Sequence, residues 1–183
     1  PLELISPRAV GSSPSSGLAA MPSGHRIFKA YPGLEYNIRV VAIGGAYPYT
    51  FDLSNAPSGM SVSADGTITW PNPTGTTVTP TITVRDTEGT QVSSSWTIGV
   101  TTTGFKFVDA VNGNDTADGS RGAPWRTLAK VHTSGTSSDI VYFRAGTYTP
   151  AGIVRASVGT PWERVEFGST KPSQWLAYAG ETP

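Results

Sequence analysis

The stretch from Phe105 to Tyr148 constrains the fold more than any other part of the chain. It begins with a short run of aromatic and β-branched residues, Phe105–Val108, which is typical of a strand. Asparagine–glycine and aspartate–glycine pairs follow at Asn112-Gly113 and Asp118-Gly119, and such pairs form tight turns. The pattern therefore predicts a strand that ends in a long, turn-rich loop.

The second half of this stretch predicts a short helix and a buried strand. Pro124 precedes a segment in which Leu128 and Val131 lie three residues apart, on one face of a helix. The apolar run Ile140–Phe143 is dense enough for a strand covered on both faces, as parallel strands are. A parallel pair of strands joined through a short helix is the predicted arrangement.

These elements in this order resemble the N-terminal cap of right-handed parallel β-helix proteins, namely pectate-lyase-like polysaccharide enzymes and phage tailspikes. The resemblance covers about residues 104–183 and implies a structural cap in which Trp125 packs against Leu128 and Val141. It rests on Val108-Asp109, Gly113-Asn114-Asp115, Asp118-Gly119-Ser120, Pro124-Trp125-Arg126-Thr127-Leu128, Val141-Tyr142-Phe143-Arg144 and Gly146-Thr147-Tyr148.

Residues 31–103 alternate short strand patterns with turns, which predicts a β-sandwich. Tyr36, Ile38 and Val40 fall on one strand face, as do Trp96 and Ile98 on another. The segment resembles bacterial Ig-like or cadherin-like modules. That resemblance rests on Tyr49-Thr50-Phe51, Pro57-Ser58-Gly59-Met60, Asp65-Gly66-Thr67-Ile68 and Val84-Arg85-Asp86-Thr87-Glu88-Gly89.

The composition agrees with an all-β fold, because the 21 glycines and 15 prolines favour short strands and many turns. We predict an extended N-terminal arm over residues 1–30, an Ig-like β-sandwich over 31–103, and the cap and first coil of a parallel β-helix over 104–183. The arm is rich in proline, serine and glycine; a disordered leader is the alternative interpretation.

Charge and cysteine content narrow the classes of partner and chemistry. The formal net charge is zero and basic residues are scattered, so no nucleic-acid partner is expected. The absence of cysteine excludes disulfides, cysteine nucleophiles and thiolate metal sites. No apolar run is long enough for membrane insertion, and the N-terminus shows no secretory signal pattern.

Candidate chemistry is sparse. Asp109, Asp115 and Asp118 offer oxygen ligands for Ca²⁺, but turn formation is the favoured interpretation of these residues and no cofactor is predicted. Glu163 and Glu166 are three apart on an extended segment and would point to opposite faces, so no catalytic pair is assigned.

Two tryptophans are predicted to be exposed and able to bind carbohydrate. Trp70 and Trp162 lie beside prolines in loop-like sequence, where an aromatic ring could stack on a sugar. The arm carries four apolar residues that a solvated tail would not need, and we predict that they anchor it to a virion protein: Leu2, Leu4, Ile5 and Val10.

The expected function is the structural, particle-attached N-terminal part of a phage tailspike or fibre that presents a β-helix to bacterial surface polysaccharide. A homotrimer, contacts with other virion structural proteins and a location in the virion follow from that resemblance. The alternative is the front part of a secreted bacterial polysaccharide lyase or hydrolase, or of a cell-surface adhesin. Any cleaving activity would then lie further towards the C-terminus.

Overall fold

The structure is a computed structural model that describes residues 1–136 and 138–148 in full. Beyond them it describes the backbone of residues 154–156, 163–165 and 174–178. The chain divides into two compact units, Pro1–Thr102 and Thr103–Pro183. No helix in the part that the structure describes is long and apolar enough to cross a membrane.

The first unit is built from short strands and one 3-10 helix (Arg26–Phe28). Its strands are β1 (Glu3–Ser6), β2 (Lys29–Ala30), β3 (Tyr36–Arg39), β4 (Val41–Ile43), β5 (Thr50–Ser54), β6 (Ser61–Val62), β7 (Thr67–Trp70), β8 (Thr77–Val78), β9 (Thr81–Arg85), β10 (Gln91–Ser95) and β11 (Ile98–Val100).

Two antiparallel sheets each contribute buried residues to the core of this unit. One has the strand order β3-β7-β6 and the other β10-β9-β5. Alternating burial along β3 and β9 shows why these sequences form strands, because every second side chain is apolar and faces inward. Ile38 lies opposite Ile68 in the first sheet, and Val84 lies opposite Phe51 in the second.

The remaining strands complete the unit. β11 pairs parallel with β2 and antiparallel with β8. The polar atoms of the buried aromatic residues have partners: the Trp96 indole donates to the Tyr36 hydroxyl (3.1 Å), which donates to the carbonyl of Ile27 (2.8 Å). Large aromatic residues can therefore fill the core without an unsatisfied donor.

The N-terminal segment is not an extended arm separate from the β-sandwich: its strand β1 pairs antiparallel with β4. Leu2 and Leu4 are each 6% exposed, and Leu4 belongs to the main apolar core. A Cβ atom at Gly44 would lie 2.1 Å from the carbonyl oxygen of Pro1, so the chain start packs directly on that turn. Pairing with β4 supplies the ladder hydrogen bonds that an isolated arm would lack.

The second unit contains a parallel sheet of β12 (Phe105–Val108), β13 (Ile140–Arg144) and β16 (Gln174–Tyr178). An antiparallel pair, β14 (Val154–Ala156) and β15 (Glu163–Val165), lies between β13 and β16 in the chain. Helix α1 (Leu128–Ser134) connects β12 to β13. The all-β class is confirmed, since strands predominate and helix is scarce in the described residues.

The ends of α1 follow local rules. The Thr127 hydroxyl accepts a hydrogen bond from the amide of Lys130 (3.1 Å), which caps the first turn. The amide of Gly135 donates to the carbonyl of Val131 (2.8 Å) and ends the last turn. Val131 is the fully buried residue of the helix and packs in the same apolar cluster as Val108 and Val141.

Truncating Leu4 tests the docking of the N-terminal strand. Leu4→Ala removes buried methyl groups and should lower the free energy of unfolding of the first unit by about 2–4 kcal/mol. The matched control is Leu18→Ala on the same segment, which should change it by less than about 0.5 kcal/mol because Leu18 is 51% exposed. Urea denaturation measures both, and equal effects would contradict the docking.

Candidate functional sites

The carboxylate of Asp109 forms a buried ion pair in the second unit. It follows β12 directly and is fully buried. One oxygen accepts hydrogen bonds from the amides of Val111 and Asn112 (2.9 Å each), and the other pairs with the Arg144 guanidinium at 3.1 Å. Burial raises the pKa of Asp109, but these amides and Arg144 outweigh it and leave the pKa below its usual range.

Asp115 links the loop after β12 to the start of α1. One carboxylate oxygen accepts from the amides of Arg126 (2.8 Å) and Thr127 (3.0 Å), and the other accepts from the Thr127 hydroxyl (2.7 Å). Burial raises its pKa, and the Thr127 hydroxyl together with the two amides more than offsets this and lowers it. The residue that caps α1 is itself held by Asp115.

The three aspartates considered as Ca²⁺ ligands serve separate turns. Asp118 accepts from the amide of Ser120 (2.9 Å) and lies at the surface, whereas Asp109 and Asp115 bind the groups described above. Within the residues that the structure describes, no group of three His, Cys, Asp or Glu side chains could hold a metal ion. The carboxylates are therefore not assembled as a metal site; each completes the hydrogen bonds of its own turn.

Trp125 lies in an apolar core of the second unit. Its ring shares a buried cluster with Val108, Val131 and Val141, and its indole donates to the carbonyl of Ala117 (3.0 Å). Gly119 lies so close that a Cβ there would be 2.6 Å from the ring.

Leu128, the third residue predicted for the cap, is half-buried. It lines a small hollow beside Thr127 and Tyr148. The helix residue that is buried in the cluster is Val131, three residues further along.

The prediction of an exposed Trp70 is wrong. Trp70 is 1% exposed, belongs to the core of the first unit, and donates its indole hydrogen to the carbonyl of Ser58 (3.2 Å). It is the last residue of β7, where strand alternation places it on the same inward face as Ile68. No ring face is available for a sugar, so Trp70 is not a carbohydrate-binding residue.

Some of the other predicted residues lie outside the described part of the chain, and the four predicted anchor residues differ in how far they are buried. Trp162 and Glu166 lie outside the described residues, and of Glu163 only the backbone, at the start of β15, is described. Of the four residues predicted to anchor the arm, Leu2 and Leu4 are buried in their own unit, Ile5 is half-buried and only Val10 is exposed.

A groove on the first unit has no counterpart in the sequence analysis. It lies between the end of β3 and the loop before β5, has a volume of about 330 Å³, and is lined in part by Arg39, Val41, Tyr47, Tyr49 and Asp65. Tyr47 is 81% exposed, although it is a large aromatic residue. The sequence offered one usable signal, a Tyr-Pro-Tyr segment that follows a glycine pair after one intervening alanine.

Comparison with known protein families finds a match for most of the first unit. Residues 22–103 match the family described as "Putative Ig domain". The first unit contains an Ig-like domain. The expected Ig-like resemblance is thereby confirmed for these residues, and β1 is an addition that precedes the matched segment in the chain.

The other comparisons are distant. Two solved structures from Bacteroides fragilis, titled "putative alpha-galactosidase" and "putative alpha-galactosidase/melibiase", are 10% and 13% identical to this chain, each with a TM-score of 0.37. Each alignment covers 64% of this chain and 26% of the other, so this chain spans about a quarter of their length. Scores this low carry no argument. No curated protein sequence matches the chain.

Removing the Trp125 ring tests whether this cluster is a core of the second unit. Trp125→Ala should lower the free energy of unfolding of the second unit by about 3–5 kcal/mol, because the cluster cannot close over so large a cavity. Val111→Ala is the control, since Val111 is exposed on the same unit. Urea denaturation followed by circular dichroism measures both. A loss under about 1 kcal/mol for Trp125→Ala would show that the ring does not fill a core.

Acid should weaken the second unit through Asp109 and Asp115. Their pKa values are lowered in the folded state, so the stability they contribute is complete above the unfolded value of about 4 and is lost as the pH falls through the folded values. Unfolding measured in urea from pH 7 to pH 3 should show this loss at the acid end. Asp109→Asn should lower stability at pH 7 and flatten the acid dependence; parallel curves for the two proteins would contradict the assignment.

Proposed function

We propose that this chain is the structural, particle-attached N-terminal part of a phage tailspike or fibre, which presents a parallel β-helix to bacterial surface polysaccharide. One observation supports the proposal above others. The parallel strands β12, β13 and β16 align Phe105 with Ile140 and Ile140 with Gln174, so equivalent positions recur after 35 and then 34 residues.

Such a recurrence is what successive coils of a β-helix produce. Each passage of the chain returns to the same position one strand further along, and repeats of 20–50 residues are typical of solenoids. Connections between parallel strands are nearly always right-handed, which agrees with the expected hand. In this proposal the β14–β15 pair is an excursion between the strands of two neighbouring coils.

The outer edge of β12 supports a capped start. The amide of Phe107 donates to the carbonyl of Gly119 (2.8 Å), and the amide of Trp125 donates to the carbonyl of Phe107 (2.9 Å). The amide of Asp109 donates to the carbonyl of Trp125 (2.8 Å). Residues 119–125 thus satisfy the side of β12 that β13 does not occupy, and a covered edge blocks pairing with foreign strands. The coils would then extend from β12 towards β16.

Aromatic stacking along the sheet agrees with a coil stack. The rings of Phe105 and Phe107 both stack on Tyr142, with centroids 5.9 Å and 5.5 Å apart. Aligned rings on neighbouring parallel strands bury apolar surface at every step of a stack. A homotrimer of such stems is part of the proposal, on the strength of the resemblance to tailspikes.

The proposed contact with the particle lies on the N-terminal segment. Burial of Leu2 and Leu4 in the Ig-like unit removes them from any anchor, whereas Val10 and Leu18 present exposed apolar side chains on the same segment. We assign docking on other virion structural proteins to this face. No reaction is proposed for this chain, because Glu163 and Glu166 are expected to point to opposite faces of an extended segment and so not to act as a pair on a glycosidic bond.

Immunogold labelling of the source culture tests the location. An antibody against residues 31–103, with antigen-absorbed serum as the control, should label the tails of phage particles. Label confined to the bacterial envelope would overturn the proposal in favour of an adhesin. Antigen found only in the medium, with release of unsaturated or reducing ends from polysaccharide, would overturn it in favour of a secreted lyase or hydrolase.

A further inference from the structure

We propose that the groove of the Ig-like unit, between Tyr47 and the Arg39–Asp65 pair, binds a neutral sugar ring of a glycan chain. This site is separate from the β-helix and does not rest on the function proposed for it. The groove combines an exposed aromatic platform with a charged donor and acceptor on one wall, within a concave volume of about 330 Å³.

The platform is the ring of Tyr47 with its neighbours. Tyr47 and Tyr49 meet edge to face, with ring centroids 5.5 Å apart and planes at 74°. Val41 also lines the groove and is exposed. A single exposed apolar residue needs no explanation, but two aromatic rings and an aliphatic side chain around one concave surface are characteristic of a ligand site.

The loop that carries Tyr47 is held in place by hydrogen bonds, one of them to a buried carboxylate. The carboxylate of Asp86, itself 4% exposed, accepts from the amide of Ala46 (3.2 Å). The amide of Thr87 donates to the carbonyl of Ala46 (3.0 Å), and the Tyr49 hydroxyl donates to the carbonyl of Gly44. A platform fixed in this way loses little conformational entropy when a ligand binds, which favours affinity.

The opposite wall supplies a donor beside an acceptor. A nitrogen of the Arg39 guanidinium lies 3.9 Å from a carboxylate oxygen of Asp65, and the two side chains are 69% and 58% exposed. Hydroxyl groups of Ser63 and Thr67 lower the pKa of Asp65, so it is ionised at neutral pH. Adjacent hydroxyls of a sugar can donate to such a carboxylate and accept from such a guanidinium.

These features together select the class of ligand. A sugar has a flat C–H face that can cover an aromatic ring, and hydroxyls at its rim that can reach a polar wall. A purely apolar ligand would cover the Arg39–Asp65 pair without replacing its hydrogen bonds to water, which costs free energy. The charges of Arg39 and Asp65 cancel, which favours a neutral sugar over an acidic one. The volume lies near the lower end of small-molecule sites, about 300–1,000 Å³.

The test uses the full chain of 183 residues and its variants. Native gels that contain dextran, galactomannan, xyloglucan or polygalacturonate measure retardation, and titration with the matching oligosaccharides gives the dissociation constant. We expect at least one neutral polysaccharide to bind. Tyr47→Ala should weaken that binding by about tenfold or more, whereas Tyr47→Phe keeps the ring and should stay within about threefold.

Control measurements distinguish the loss of the Tyr47 ring from unfolding of the variant protein. Tyr47 is so exposed that Tyr47→Ala should leave the unfolding midpoint unchanged, and Leu18→Ala, an exposed residue away from the groove, should leave binding unchanged. Removing the guanidinium with Arg39→Met should also weaken binding. Retardation in polygalacturonate alone would overturn the proposal, and so would equal binding of Tyr47→Ala and the parent chain. It would also be overturned if no neutral polysaccharide retarded the chain and titration with millimolar oligosaccharide showed no binding.

Discussion

Within each of the two units, main-chain hydrogen bonds from a neighbouring segment close a strand edge that would otherwise be open. In the first unit β1 adds to β4, and the start of the chain packs against the turn at Gly44. In the second unit residues 119–125 bond to the outer edge of β12. An unpaired edge leaves donors and acceptors unsatisfied and invites association with other chains. Each unit therefore depends on a segment whose own sequence is only weakly strand-like.

Two aspartates that the sequence offers as candidate Ca²⁺ ligands instead stabilise the loop that covers the edge of β12. Asp109 accepts two amides of the loop and pairs with Arg144, which belongs to the neighbouring strand β13. Asp115 binds the amides at the start of α1. A buried carboxylate without such partners would be strongly destabilising. Their hydrogen bonds hold the acidic, asparagine-rich loop against β12.

The two units carry different kinds of surface, and this division bears on the proposed functions. The regular register of β12, β13 and β16 suits a stem that repeats. The groove beside Tyr47 is instead assembled from a strand end and two loops of the Ig-like unit.

The sequence by itself determined the element types and most of their positions. Alternation indicated β3 and the start of the Ig-like segment. Pro124 and the spacing of Leu128 and Val131 indicated α1, and the apolar run at Ile140–Phe143 indicated the parallel strand β13. These are local signals, with periods of two to four residues.

Only the tertiary structure determined which side chains are buried and which residues far apart in the sequence meet, because both depend on the pairing of distant strands. Leu2 and Leu4 are buried because β1 meets a strand almost forty residues away, and Arg39 meets Asp65 across 26 residues of chain. Trp70 resembles a loop residue when read beside Pro71, yet the pairing of β7 with β3 and β6 directs it inward. Burial and concavity are properties of packed surfaces, so no window of sequence contains them. Side-chain direction in a strand is local, but which face becomes the core depends on what the sheet packs against.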